Sequence, residues 1–433
     1  MRTAASAVTT AAVPIGDVSV EASRFRSSGV PELDRVLGGG LVPGAAILLA
    51  GEPGVGKSTL LLEVAAQTAR TAPMTGQRVL YVTGEESASQ VRLRADRTGG
   101  VQPELYLAAE NDLGAILTHI ETVRPTLLVV DSVQTIGAPG IEGVPGGVTQ
   151  VKEVSAALIR VAKTRNIATV LVGHVTKDGS IAGPRVLEHL VDVVLHFEGD
   201  RNSRFRMVRA MKNRFGPVDE VGCFDLGPEG ITAVADPTGL FVEHQSGNVP
   251  GTCVAVTMEG RRPMLAEVQA LVTPSPLERP RRTTSGLDGS RVAMVLAVLA
   301  QHCGLRMLHQ HDVFASTVGG AKLNEPASDL ALAVAIASAT VNTAPPAGVV
   351  AMGEIGLAGE LRRVRDLPQR LAEAARLGFR VAVVPAERAA DGPRPARTRE
   401  IDGMKVIEVP DVSSALRLLN LTRESGKLRA VDD

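Results

Sequence analysis

The chain carries the run Gly51-Glu52-Pro53-Gly54-Val55-Gly56-Lys57-Ser58-Thr59. Glycines in this pattern let successive backbone N–H groups turn inward around phosphate oxygens. Lys57 is spaced to reach β- and γ-phosphates, and Ser58 offers its hydroxyl to Mg²⁺, with Thr59 beside it. A phosphate-binding loop needs a strand before it and a helix after it. "AAILLAG" (45–51) reads as the strand and "KSTLLLEVAAQTAR" (57–70) as the helix, whose N-terminus adds a favourable dipole. ATP with Mg²⁺ is the expected pair, and the flanks argue against a chance glycine-rich turn.

Acids at the right places would complete such a site. Asp131 ends the apolar run "TLLVVD", where a carboxylate can hold Mg²⁺ through its water shell. An ordinary strand-end Asp capping the next turn is the plainer alternative. Glu85 and Glu86 in "YVTGEES" follow a strand expected beside the loop strand. A carboxylate there can orient water on the γ-phosphate and take its proton. Glu85 is the first choice and Glu86 the second; an acid pair favoured by a helix N-terminus is the alternative. His174, after "TVLVG", is either a γ-phosphate sensor or a buried structural histidine. "MKNRFGPVDEV" (211–221) adds two cations, Lys212 and Arg214, beside Phe215 and Gly216. The choice there lies between a solvated hairpin turn and a catalytic element.

The elements that must position these residues follow from hydrophobic patterning. Between about residues 25 and 241, apolar runs alternate with helical patterns, which predicts an α/β fold with a parallel sheet covered on both faces. After the run "VDVVLHFEG", "FRMVRAMKNRFGPVDEVGCFDL" reads as antiparallel hairpin strands at its edge. "EHQSGNVPG" (243–251) reads as a linker. Beyond it lies an α+β block with a hairpin turning at residues 259–263 and a helix over "SRVAMVLAVLAQHCG" with Ser290 as its possible cap. The expected boundaries are a tail over 1–23, an ATPase domain over 24–245, a second domain over 246–427 and a tail over 428–433.

Composition narrows the class. The 433 residues are 44% hydrophobic with no Trp and two Tyr, so cores must be built from aliphatic side chains. A net charge of −1 excludes a whole-chain basic footprint for nucleic acid. Cys223, Cys253 and Cys303 form no CxxC pair, so no zinc site is expected. Neither a signal peptide nor a membrane span is visible, and a cytoplasmic protein is expected.

"LDRVLGGGLVPGAAILLAGEPGVGKSTLLLEVA", "YVTGEES", "LLVVDSVQT", "GHVTKDG" and above all "KNRFG" resemble the bacterial RadA (Sms) DNA repair family. These are RecA-like ATPases with a Lon-protease-like domain at the C-terminus, and the resemblance runs from about residue 10 to the end. It implies a DNA-dependent ATPase, a helicase-like motor for branch migration and for processing recombination intermediates or stalled forks. It also implies a homo-oligomer, a hexameric ring, with single-stranded and branched DNA and a RecA-type recombinase as partners. Lys212 and Arg214 would then act in trans on a neighbour's phosphates, or else touch DNA. Loops 135–150 and 176–185 take the positions of DNA-binding loops, with Lys177 and Arg185 for phosphates; Arg281 and Arg282 are further DNA candidates, beside Arg279, Arg362, Arg363 and Arg365. Two departures stand out. The family's N-terminal four-cysteine finger has no match here. The serine of a Lon-type protease falls on Ala327, not Ser328, and its lysine near Pro368, so no peptidase is expected. An ATP-dependent protease, an autokinase and a nucleotide-switched scaffold are the rival readings.

Overall fold

The computed structural model describes residues 12–17, 24–174, 184–199, 203–237, 242, 249–389, 392–393 and 396–422. The chain divides into two compact units, residues 1–198, 206–218 and 224–233 in one, and 199–205, 219–223 and 234–433 in the other.

The first unit is built on a sheet that begins at β1 (Ala46–Gly51), preceded by helix α1 (Pro31–Leu37) and followed by α2 (Lys57–Arg70) and the short α3 (Ala72–Thr75). Next come β2 (Val79–Thr83), α4 (Ala88–Arg97), β3 (Leu105–Ala109), α5 (Leu113–Val123) and β4 (Leu127–Asp131). Then follow α6 (Val148–Arg165), β5 (Ala168–His174), α7 (Pro184–Glu188), β6 (Val193–Glu198), β7 (Phe205–Asn213), β8 (Val221–Gly227) and β9 (Gly230–Ala233). Across the sheet the order is β3-β2-β4-β5-β1-β6-β7-β8-β9. Strands β3 to β6 pair in parallel, and β7 turns back antiparallel on β6.

The alternation of side chains sorts this sheet into two cores. Ile47, Leu49, Val79, Tyr81, Val129 and Val172 pack with α1 and α2. Leu48, Leu80, Val82, Leu128, Val130 and Leu171 pack with α5 and α6. Near-continuous apolar strands are what a doubly covered parallel sheet requires. The order places β1 between β5 and β6, so β2, expected beside β1, instead stands beyond β4 and β5, and the carboxyl ends of β1, β2, β4 and β5 line one edge of the sheet. This is the edge where ligands of open α/β sheets bind.

In the second unit, eight strands form one sheet among the described residues. In spatial order they are Arg282–Ser285, His311–Thr317, Arg262–Pro274, Thr252–Glu259, Val349–Ala351, Val381–Pro385, Met404–Val409 and Arg397–Ile401. Helices Gly289–His302 and Asp329–Val341 bury one set of its side chains, and Leu367–Arg376 contributes to the other. The helix over 289–302 is capped by Asp288, whose carboxylate accepts the Arg291 N–H at 2.9 Å. Ser290, the expected cap, donates its hydroxyl to Asp288 instead. Both residue types suit the role, and the aspartate holds the extended backbone that an N-cap needs. Among the described residues no helix is long and apolar enough to cross a membrane.

Candidate functional site

The phosphate loop runs from the end of β1 into α2. Gly54 and Gly56 sit at φ 79° and 111°, a conformation that favours glycine. A Cβ on Gly51 would lie 2.5 Å from the Phe197 carbonyl oxygen, so β1 can lie against β6 here only as glycine. Around the Cβ position of Gly54 there is open space. Helix α2 has no side-chain cap at its N-terminus, which leaves its first N–H groups free for an anion. These features fit a bound polyphosphate.

Lys57 is buried and folds back on its own loop, donating to the carbonyl oxygens of Gly51 at 2.8 Å and Glu52 at 2.9 Å. Burial lowers its pKa to about 8, against the opposing pull of Asp131 and Glu85. Arg206 of β7, also buried, donates to the Val55 carbonyl oxygen at 2.9 Å and braces the loop from its outer side. Glu52 and Pro53 are exposed at its rim, while Ser58 and Thr59 are half-buried on the first turn of α2.

The acids separate cleanly. Asp131 ends β4 with one oxygen accepting the Tyr81 hydroxyl at 2.8 Å, which fixes the carboxylate. Burial, and then the adjacent Asp131, push the Tyr81 hydroxyl well above its usual pKa, so it stays a donor. Ser58 and Asp131 offer oxygen atoms of the hard kind that Mg²⁺ takes, directly or through its water shell. Glu85 accepts the Ser132 hydroxyl at 2.5 Å and the His174 Nε2 at 3.0 Å on the same oxygen. Chiefly through the His174 bond, and against burial, its pKa falls to about 2. Nδ1 of His174 is buried without a partner. Glu86 turns away and forms a two-oxygen ion pair with Arg94, 2.7 Å at the longer contact. Lys57, Glu85, Asp131 and His174 thus share the carboxyl edge of the sheet, and Glu86 faces Arg94 rather than the loop.

Lys212 and Arg214 lie at the other edge. Lys212 pairs across from Val194 at the start of β6, and a register shift leaves Met211 as the extra, 65% exposed residue. Lys212 donates to the Glu188 and Val191 carbonyl oxygens at 2.7 and 2.8 Å. Arg214 donates to Asp192 at 2.9 Å, while its side chain stays 54% exposed. Asn213 donates to the Leu37 carbonyl at 3.2 Å, and a Cβ on Gly216 would meet the Gly38 Cα at 3.0 Å. The two glycines therefore let this turn dock on the glycine-rich end of α1.

The expected DNA contacts fare unevenly. Loop 135–150 is ordered around the buried Gln150 side chain, which accepts the Ala138 N–H at 3.0 Å and donates to the Ile141 and Gly143 carbonyls at 2.6 and 3.2 Å. Its one charged residue is Glu142. Lys177 lies outside the described residues, and Arg185 falls in α7. Arg281 is exposed; Arg282 donates to the carbonyls of Leu308, at 2.6 Å, and His311. Arg362 and Arg363 pair with Glu360 at 2.9 Å and Glu387 at 3.0 Å. In the second unit Ala327 and Ser328 are buried, and the Ser328 hydroxyl donates to the Glu325 carbonyl at 2.8 Å.

Comparison with known proteins supplies the family. A family model described as AAA domain matches residues 12–180, and one described as subunit ChlI of Mg-chelatase matches residues 314–388. The chain is 54% identical over 417 residues to DNA repair protein RadA of Mycolicibacterium smegmatis (strain ATCC 700084 / mc(2)155), covering 95% of this chain and 86% of the relative. The protein of that name in Mycobacterium tuberculosis (strain ATCC 25618 / H37Rv) is 52% identical over 410 residues, 94% of this chain and 82% of its own. That of Streptococcus pyogenes serotype M1 is 48% identical over 408 residues, 94% and 87%. With an ATPase domain whose loop, lysine and acids converge on one sheet edge, the chain belongs to the family of DNA repair protein RadA.

Proposed function

We propose that this protein is a Mg²⁺- and ATP-dependent DNA motor of the cytoplasm that works as a ring of identical copies, six by the family's example. It would drive branch migration and help process recombination intermediates and stalled forks beside a RecA-type recombinase. Within each copy, the inward N–H groups of residues 51–59 and Lys57 bind the β- and γ-phosphates. Ser58 and Asp131 would hold Mg²⁺, which neutralises charge on the phosphate oxygens. Tyr81 orients Asp131 for that task. Glu85, ionised and held by Ser132 and His174, keeps one oxygen open to orient the attacking water; because the His174 bond is the chief cause of its low pKa, release of that bond would restore the basicity needed to take the water's proton.

One observation carries the shared-site reading. Lys212 and Arg214 stand at the amino edge of the parallel strands, beside Asp192 and Val194, whereas their own phosphate loop stands at the carboxyl edge. The six residues of β1 separate the two edges by about 17 Å at the usual rise per residue. Arg214 is half exposed and cannot reach its own nucleotide, so a phosphate it serves belongs to a neighbouring copy. Contact with DNA phosphates is the competing use of the same cations. The second unit is read as a Lon-protease-like fold without proteolysis, supported by Ala327 and by the spent hydroxyl of Ser328. ATP hydrolysis measured against single-stranded DNA at several salt concentrations tests the motor reading. A stimulated rate that falls with salt is expected; a rate indifferent to DNA would refute it.

A further inference from the structure

Asp192 sits at the turn into β6, is only 4% exposed and is bonded on every side. Its N–H donates to the Ala46 carbonyl at 2.9 Å, and one carboxylate oxygen accepts the Ala46 N–H at 3.1 Å. The other oxygen accepts Lys163 of α6 at 3.1 Å and Arg214 at 2.9 Å. Its carbonyl accepts the Arg214 N–H at 3.2 Å. Both the backbone and the side chain of this one residue therefore grip two things. One is the first residue of the strand that ends in the phosphate loop. The other is the arginine of the KNRFG turn, by main chain and guanidinium alike.

We propose that Asp192 is the positioning residue that aims Arg214 and ties it to strand β1, so that the cation offered to a neighbouring copy is set by the strand carrying its own copy's nucleotide loop. The proposal rests on the reading that Arg214 serves a neighbour's phosphates. A long, half-exposed arginine loses rotamer freedom when it docks. Holding one of its terminal nitrogens in advance reduces that loss and leaves the remaining donors outward. Although burial alone would raise the Asp192 pKa, the Ala46 N–H, Lys163 and Arg214 hold it below the usual carboxylate range. The anchor stays charged at neutral pH. Lys163 balances that charge, so the pair of Asp192 and Lys163 leaves the positive charge of Arg214 uncancelled.

The test is a double-mutant cycle on ATP turnover and nucleotide affinity. Asp192→Asn keeps an oxygen for the Ala46 N–H but turns an amide NH₂ toward Lys163 and Arg214. It is expected to lower kcat by about 10- to 100-fold, the scale of a misplaced catalytic group, with nucleotide affinity changed less than about twofold. In the Arg214→Ala background the same substitution should do nothing further. If Asp192→Asn slows the Arg214→Ala protein by the factor it costs the wild type, Asp192 acts through the strand alone and the proposal falls. Wild-type turnover by Asp192→Asn beside a slow Arg214→Ala also overturns it. Wild-type turnover by Arg214→Ala overturns the underlying shared-site reading as well. Should Asp192→Asn fail to fold, Asp192→Glu enters the same cycle, since its extra methylene displaces the carboxylate while keeping the charge.

Discussion

Glu85 and Glu86 are neighbours in sequence, yet the structure gives them opposite surroundings, and exchanging each for glutamine separates them. In Glu85→Gln the amide oxygen can still accept the Ser132 hydroxyl and His174, now at 2.5 and 3.0 Å from the carboxylate, so the fold should survive. What disappears is the proton acceptor facing the water. General-base removal costs about 10²- to 10⁴-fold in kcat, equivalent to roughly 3–5.5 kcal/mol of barrier. In Glu86→Gln the loss is the ion pair with Arg94, whose side chains are 19% and 32% exposed for Arg94 and Glu86 respectively. Such a partly exposed pair is worth about 1 kcal/mol or less, a shift of about 2–4 °C in Tm at most for a domain of this size. Turnover should then stay within about threefold of wild type, because Glu86 is held by Arg94 and not by the groups that bond Glu85 and Asp131. Steady-state phosphate release, labelled-nucleotide binding and thermal melting measure all three quantities. A Glu86→Gln protein that loses turnover while Glu85→Gln keeps it would refute the reasoning.

Other consequences follow from the same geometry. Because burial lowers the Lys57 pKa to about 8, ATP affinity should fall as pH rises through about 8, by at most about tenfold per pH unit; a flat affinity from pH 7 to 9.5 would contradict it. Tyr81→Phe removes the donor that fixes Asp131. The Mg²⁺ concentration for half-maximal hydrolysis should rise by about tenfold or more, and an unchanged Mg²⁺ titration would refute that role. In the second unit, the fully buried Arg370 bonds the Val256 carbonyl at 2.6 Å and the Arg365 carbonyl at 2.8 Å, and pairs with Glu325. Arg370→Ala takes the donor from the Val256 and Arg365 carbonyls, while Glu325, 29% exposed, keeps the Thr257 hydroxyl and the Met258 N–H; it should cost about 1–3 kcal/mol in denaturant unfolding, and an unchanged unfolding midpoint would show the network to be dispensable.

The phosphate loop, Asp131 and the strand–helix alternation were legible because their signals are local: spacing, flanking periodicity and glycines at fixed offsets. Helix 57–70 has the predicted limits, Lys57–Arg70. What the chain hid depends on direction and on distant partners. Adjacent glutamates on a turn cannot be told apart until Arg94 claims one of them and His174 and Ser132 the other. Asp192 reads as one of two polar residues, with His196, in the otherwise apolar run "LVDVVLHF", and its importance appears only when Ala46, Lys163 and Arg214 converge on it. Tyr81 and Arg206 look like strand residues; the bonds to Asp131 and Val55 cross 50 and 151 positions of chain. The basic stretch "RPRRTTSG" reads as a loop for its proline and charge, yet Arg282–Ser285 pairs in parallel with β-strand residues 313–316. An exposed edge strand lacks the alternation that reveals a strand.

The central claim is that neighbouring copies complete one another's nucleotide sites. Mixing Lys57→Ala protein, which keeps Arg214, with Arg214→Ala protein, which keeps the phosphate loop, tests it most directly. Each alone should hydrolyse ATP at a small fraction of the wild-type rate, and the mixture should recover part of the activity wherever an intact loop meets an intact arginine. A mixture no faster than the sum of its two components, from proteins that demonstrably co-assemble, would contradict the account.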